Sequence, residues 1–283
     1  MFDTPTLFGF NIFDTQQKYF ADIRYTGVSL RVGRRFRWPD YLFRGDWTVR
    51  FQRNDVKYGG GYYNEGVTTQ VGISQVISRN STDSPIFPTR GSNFSLLTEI
   101  SGGPFLPGNA RFHKHVFNAE WFVPLFGGSR ITLMANSSFG FIFGFEKNAT
   151  VPLQDYFYMG GTGLGQFSTT PLRGYEDRSV GPKANGSFIG GKSMIKHAIE
   201  LRLALSINPI PIYTLAFAEA GNVWLDNSIQ DPLDLKRSAG IGVRLLINPI
   251  GLVGFDYGYG FDAPTPGGSP SGWKFHFQFG RGF

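Results

Sequence analysis

His113 and His115 stand two residues apart in an alternating segment, so their rings share one face of a strand. That spacing would let two imidazoles approach one metal ion. No acid or cysteine completes a ligand set of known geometry, and a pair of interfacial histidines is the simpler reading. Hydrolytic chemistry would need a serine or aspartate with a histidine partner, and His197 and His276 lie on strands with no such motif around them. The run Gly160-Gly-Thr-Gly-Leu-Gly165, followed by Arg173, has the look of a phosphate cradle. It lacks the Lys-Ser/Thr ending and the strand–helix setting that a nucleotide site requires. Its glycines are expected instead to let the segment fold back sharply and pass close to other backbone. The net charge of +6 is spread through alternating strands rather than clustered, which argues against a nucleic-acid partner. The residues thus offer no catalytic group, metal site or cofactor site.

What they do offer is a repeated two-faced strand. In residues 273–283, Trp273, Phe275, Phe277, Phe279 and Phe283 fall on one parity, and Lys274, His276, Gln278, Gly280 and Gly282 on the other. Successive strand side chains point to opposite faces, so one face is aromatic and the other polar or small. Val253, Phe255, Tyr257, Tyr259 and Phe261 alternate with Gly254, Asp256, Gly258 and Gly260 in the same way. Ile195, Ile199, Leu201, Leu203 and Leu205 oppose Lys196, Glu200 and Arg202. Long strands of this kind are the pattern of an antiparallel transmembrane β-barrel, with lipid against the first face and a wet lumen against the second. Alternation also explains how 283 residues with 29 Phe, 38 Gly and no Cys keep a mean hydropathy of −0.15. No run approaches the ~20 apolar residues of a membrane helix. The absence of cysteine fits a cell-envelope location only weakly.

The alternation and turn residues predict about twelve strands and almost no helix. They fall near 6–13, 23–34, 42–56, 66–79, 91–101, 111–125, 129–145, 190–206, 212–225, 235–247, 251–262 and 273–283. Short turns rich in Pro or Gly occur at 37–40, 87–91, 126–129, 208–211 and 248–251, with longer loops between them. Outer-membrane barrels place short turns in the periplasm and long loops outside, and all five short turns fall on one side by this count. One loop, 146–190, is far longer than the rest and is expected to be functional.

Several motifs, in order along the chain, resemble those of the BamA-type family of outer-membrane protein insertion barrels, a superfamily that also holds TamA, two-partner-secretion transporters and the organelle homologues Sam and Toc. Phe87-Pro-Thr-Arg-Gly91 resembles its Pro-Thr-x-Gly turn. Tyr158-Met-Gly-Gly161, Leu172-Arg-Gly-Tyr175 and Val180-Gly-Pro182 resemble its long Arg-Gly-(Phe/Tyr) loop. Glu200-Leu-Arg202 resembles the strand after that loop, and Phe217-Ala-Glu-Ala-Gly-Asn-Val-Trp224 the next one, with Glu219 where the family has Asp. Ser238-Ala-Gly-Ile-Gly242 and Asn248-Pro-Ile-Gly251 resemble the strand and turn that follow.

The resemblance implies a sixteen-stranded barrel preceded by periplasmic POTRA domains, of which this sequence would be the carboxy-terminal portion, in the bacterial outer membrane. It implies insertion of nascent outer-membrane proteins, with membrane lipids, client proteins and periplasmic accessory lipoproteins or chaperones as partners, and no enzymatic activity. A secretion transporter for one dedicated partner and a passive porin are the alternatives. The resemblance further implies that loop 146–190 folds into the lumen, where the Arg173-Gly174-Tyr175 motif locks it and Arg173 pairs with Glu219 and Glu200. A solvated Arg173 is the competing reading. Glu219 shares parity with Leu215 and Phe217, which would put it on the apolar face unless a bulge intervenes; Ala216, Ala218 and Ala220 could face lipid instead. Gly280 and Gly282 weaken the last strand and are candidates for a seam that opens, with Phe279 and Phe283 as a terminal assembly signal. A strand end that merely frays is the competing reading there.

Overall fold

The computed structural model describes residues 6–18, 22–59, 65–128, 130–146, 149, 151–163, 169–184, 186–207, 210–229, 231–247, 251–265 and 267–279. Its main element is one antiparallel sheet of twelve strands in strict chain order. The strands are β1 (Thr6–Lys18), β2 (Asp22–Arg35), β3 (Phe43–Tyr58), β4 (Gly66–Asn80), β5 (Gly91–Ser101), β6 (Phe112–Pro124) and β7 (Ile131–Gly144). After a long loop come β10 (Ser193–Ser206), β11 (Ile212–Trp224), β12 (Lys236–Ile247), β13 (Gly251–Gly260) and β14 (Gly272–Phe279). Among the described residues, β1 pairs only with β2 and β14 only with β13.

The sheet is inside out by the standards of a soluble protein. In β10, Ile199 and Leu205 are 55% and 60% exposed, while Glu200 between them is 1% exposed. Phe8, Phe10 and Ile12 of β1 and Phe275, Phe277 and Phe279 of β14 are likewise exposed. An apolar outer face would be unstable in water and is at home in lipid, and most of the strands exceed the ~9–11 residues needed to cross a bilayer. No helix of the described residues is long and apolar enough to do so.

The polar face is drier than a wet lumen. Phe157, Met159, Leu172, Tyr175 and Val180 of the long loop form a buried cluster with Phe112, Ile142, Met194 and Val223 of the wall. Burying this apolar surface ties the loop to the inner face of the sheet. The loop is not structureless either. It contains a one-turn 3-10 helix (Leu153–Asp155) and a small hairpin, β8 (Lys183–Ala184) with β9 (Ser187–Phe188). Bridges Met159–Thr170, Met159–Val180 and Gly161–Leu172 fold it on itself, with positive φ at Gly160, Gly161 and Gly163. Towards the short-turn end the interior opens into a cavity of about 760 Å³ lined by Arg35, Arg44, Ser78, Glu120, Arg202 and Tyr213.

β1 runs five residues past its expected end, because Asp14 pairs with Arg24 and Gln16 bonds Asp22 across the β1–β2 ladder. Polar cross-strand pairs sustain a strand that apolar alternation alone does not signal.

Candidate functional site

The charged residues of the inner face converge where the loop meets β10–β13. β10 presents Lys196, Glu200 and Arg202 at alternate positions, β11 presents Phe217 and Glu219, β12 presents Arg244 and β13 presents Asp256. In register, Glu200 faces Phe217 and Ala198 faces Glu219, so the two glutamates stand diagonally on neighbouring strands. The parity question at Glu219 has a plain answer. No register shift occurs in β11 between Tyr213 and Gly221, and Leu215, Phe217 and Glu219 all point inward while Ala216 and Ala218 point out. Two apolar residues therefore belong to the interior, which is what made the alternation misleading.

Arg173 enters this cluster from the loop and is fully buried. Its Nη2 donates to Glu200 Oε1 at 2.6 Å and to Glu219 Oε1 at 2.8 Å. Its backbone N–H donates to Glu219 Oε2 at 2.7 Å, so one carboxylate holds both the side chain and the main chain of the residue. Nη1 stands 3.6 Å from Asp256 Oδ1. Each acid has a second cation: Lys196 Nζ is 3.3 Å from Glu219, Arg202 Nη2 is 2.7 Å from Glu200, and Arg244 forks onto Asp256 with two bonds of 2.9 Å. Buried charges are tolerated only when paired and hydrogen-bonded, and here four cations interleave with three carboxylates. Removing Arg173 would still leave each acid one cation, whereas removing an acid would take a partner from two buried cations at once.

Gly174 and Tyr175 carry the loop onward across β12 and β13. Gly174 has φ +84°, a conformation that side chains rarely adopt. Its backbone lies directly on β13: a Cβ added to Gly260 would come within 2.5 Å of Gly174 O, and one added to Gly258 within 3.1 Å of Gly174 N. The Tyr175 hydroxyl donates to Arg237 O at 2.8 Å and accepts from Asp262 N at 3.3 Å. The glycines of β13, which alternate with its aromatic residues, thus provide the bare floor on which the loop rests.

A second anchor lies across the interior. Lys114 of β6 donates to the backbone carbonyl of Asp155 at 2.7 Å and sits 4.6 Å from the Phe157 ring centre. Burial pushes the Asp155 carboxyl up from 3.8 to about 6, with Glu99 adding to the rise and Lys114 opposing it.

Of the residues singled out from sequence, Arg173, Gly174, Tyr175, Glu200 and Glu219 meet in one place. Phe279 faces outward at 50% exposure, opposite Val253. Gly280, Gly282 and Phe283 lie outside the described residues. Lys196, Arg244 and Asp256 also belong to the cluster and were not singled out, and His276, weighed only as a catalytic histidine, joins them; their only signal for this place is the polar parity of their strands. His113 Nδ1 and His115 Nε2 are 2.9 Å apart on the outer face, with His113 stacked on Phe143. Among the described residues no group of three or more His, Cys, Asp or Glu is arranged to hold a metal.

An antiparallel sheet in chain order, apolar outside and charged inside, with a long loop packed against its inner face, defines a β-barrel of the outer-membrane class. A model of the Omp85 superfamily domain matches residues 1–283, and the chain belongs to that superfamily. It is 28% identical over 218 residues, 64% of the chain, to the outer membrane protein assembly factor BamA of Neisseria meningitidis serogroup B. It is 28% identical over 140 residues, 50% of the chain, to a SAM50-like protein of Schizosaccharomyces pombe. These matches span 25% and 28% of the two relatives, so the chain corresponds to about a quarter of their length. Its fold is similar to that of crystalline BamA from Haemophilus ducreyi lacking POTRA domains 1–3, with a TM-score of 0.75 at 18% identity, covering 95% of this chain and 58% of that one.

Proposed function

We propose that this chain forms membrane-embedded barrel wall of a machine that inserts and assembles nascent outer-membrane proteins in the bacterial outer membrane. The observation that carries the reading is the burial of Arg173 among Glu200, Glu219 and Asp256, which fixes a long loop against the inner wall. Membership of a superfamily that includes assembly factors supports it. A strand cannot enter lipid with its backbone groups unpaired, so a machine of this kind must offer a pairing edge at membrane depth. The last strand of the chain, β14, is the proposed place for such an edge, exposed when a weak seam opens so that a client strand adds by β-augmentation. Gly280 and Gly282, as glycines, remain the candidates for that seam by residue type alone, with Phe279 and Phe283 as the terminal assembly signal. The loop, held on the extracellular side of the lumen, keeps the wall in the pose that presents the edge. Client proteins, membrane lipids and periplasmic accessory lipoproteins or chaperones are the partners. A passive pore fits poorly, because the loop's apolar residues fill the interior rather than line it.

The test is Arg173→Ala in the full-length protein, expressed in cells depleted of the wild type. Client barrels should accumulate unassembled while the variant itself remains folded and heat-modifiable. Normal assembly of clients with loss of a single secreted polypeptide would replace this reading with that of a dedicated transporter.

A further inference from the structure

Gly174 joins two sets of contacts. Before it, Arg173 enters the carboxylates of β10, β11 and β13. Its own amide N–H, however, donates to Nε2 of His276 on β14, 2.8 Å away. Two residues further, Glu176 Oε1 accepts from Nζ of Lys274, also on β14, at 2.7 Å. His276 and Lys274 are successive inward positions of that strand, so the loop grips β14 from inside at two adjacent points. The floor beneath Gly174 is Gly258 and Gly260 of β13, the strand to which β14 is laddered. Loop, β13 and β14 are therefore one packed unit.

The bond to His276 sets a chemical condition. An imidazole nitrogen accepts only through a free lone pair, so the ring must be neutral with its proton on Nδ1. Protonation at Nε2 would aim one N–H at another and replace the bond with repulsion. The charged groups facing the ring are Asp256 of β13, Glu219 of β11 and Arg173 and Asp177 of the loop, with Lys274 two residues away on β14. Asp256 already accepts from Arg244 and Gln278, and Glu219 from Arg173. The histidine is thus placed to serve the loop backbone rather than to complete an ion pair.

We propose that His276 is a positioning residue that couples the Arg173 loop to β14: in its neutral form it clasps Gly174 and steadies β14 on β13, and loss of the clasp loosens β14. The proposal rests on the assembly function given above and adds which strand the loop controls and through which atom.

Hydrogen exchange on the full-length protein in lipid nanodiscs tests it, in an Asp155→Asn background that removes the loop's other titration in this range, followed over residues 170–178 and 272–279 and corrected for intrinsic rates; wild type below means that parent. His276→Leu removes the acceptor. In His276→Gln the amide oxygen accepts the same N–H and does not titrate. Wild-type β14 should exchange roughly fivefold faster at pH 4.5 than at pH 8, the effect of one buried hydrogen bond. His276→Leu should be fast at both values and His276→Gln slow at both, with β6 and β7 unchanged throughout. Unaltered β14 exchange in His276→Leu, or a wild-type pH step in His276→Gln, would overturn the coupling. If His276→Leu fails to fold, the His276→Gln profile decides alone. Exchange does not read client assembly, so unimpaired assembly in Arg173→Ala would remove the function while leaving the clasp standing.

Discussion

The ring of Phe217 lies beneath the guanidinium of Arg173, with the Arg173 Cζ 3.7 Å from the ring centre. A desolvated cation over an aromatic face gains ~2 kcal/mol, and the ring also bars water from beneath the charge. This contact explains why an aromatic residue faces the interior two positions from Glu219. It also makes the site specific to arginine. A lysine has no plane to lay on Phe217 and no second nitrogen to stand beside Asp256 as Nη1 does while the first serves both glutamates.

The first expectation concerns the coupling of Arg173 to Glu219. Breaking a buried pair from one side typically costs ~3–5 kcal/mol, because the remaining charge stays desolvated. Lys196 and Arg202 remain beside the two glutamates in Arg173→Ala, which should temper the loss. Arg173→Ala and Glu219→Gln should each expose loop 145–192 to protease, and the double variant should be little worse than either. Strictly additive effects in this cycle would show that the two residues act separately.

A second expectation follows from the bare floor of β13. Gly260→Ala would bring a methyl within 2.5 Å of Gly174 O, a backbone atom that cannot swing aside. Overpacking of this kind costs ~1–3 kcal/mol and should lift the loop without disturbing the ladder. Gly128→Ala, in open space at a turn, is the control and should be neutral. Equal protease resistance of the loop in both variants would mean that it does not rest on β13.

Strand positions and outer face were legible because each depends on alternation within one segment. Val253–Phe261 and Trp273–Phe279 show it residue by residue, and the structure follows them except at Val253, which Leu245 and Phe279 flank in register. The interior was legible only in part. Phe217 points inward under Arg173 of the loop, some forty residues away in the chain, and Leu215 points inward onto Phe87, Ala204 and Tyr213, the first of them more than a hundred residues away. Asp256 and His276 were visible as polar residues of the right parity, but their partners Arg244 and Gly174 come from other segments. Periodicity reports which face a residue occupies. What sits against that face is a tertiary fact.

A third expectation uses Asp155. Its carboxyl is raised from 3.8 to about 6, so between those values the folded loop binds more protons than the unfolded chain. Stability must therefore fall as pH rises through that window and stay lower above it, by on the order of 2–3 kcal/mol. Asp155→Asn should make the loop more protease-resistant at pH 7.5 and flatten its response between pH 4 and 7. A variant less resistant than wild type at pH 7.5 would mean that the ionised carboxylate supports the loop through Lys114.

The last expectation tests which face meets lipid. Phe275 is 66% exposed on the outer parity of β14, whereas Ser78 lines the interior cavity at the short-turn end. The protein has no cysteine, so Phe275→Cys and Ser78→Cys each introduce a single thiol. A water-soluble maleimide should label Ser78→Cys in both detergent and bilayers, and Phe275→Cys only in detergent once lipid no longer covers it. Positions on the charged side of β13 add a further check, since Asp256 is sealed by the loop and not merely turned inward. A thiol at Ala198, buried on the inner face of β10 beside Glu219, should be unreactive in the wild-type background and become reactive when Arg173→Ala releases the loop. Labelling of Phe275→Cys in bilayers at the rate seen for Ser78→Cys would place the aromatic face in water and overturn the membrane orientation of the whole sheet.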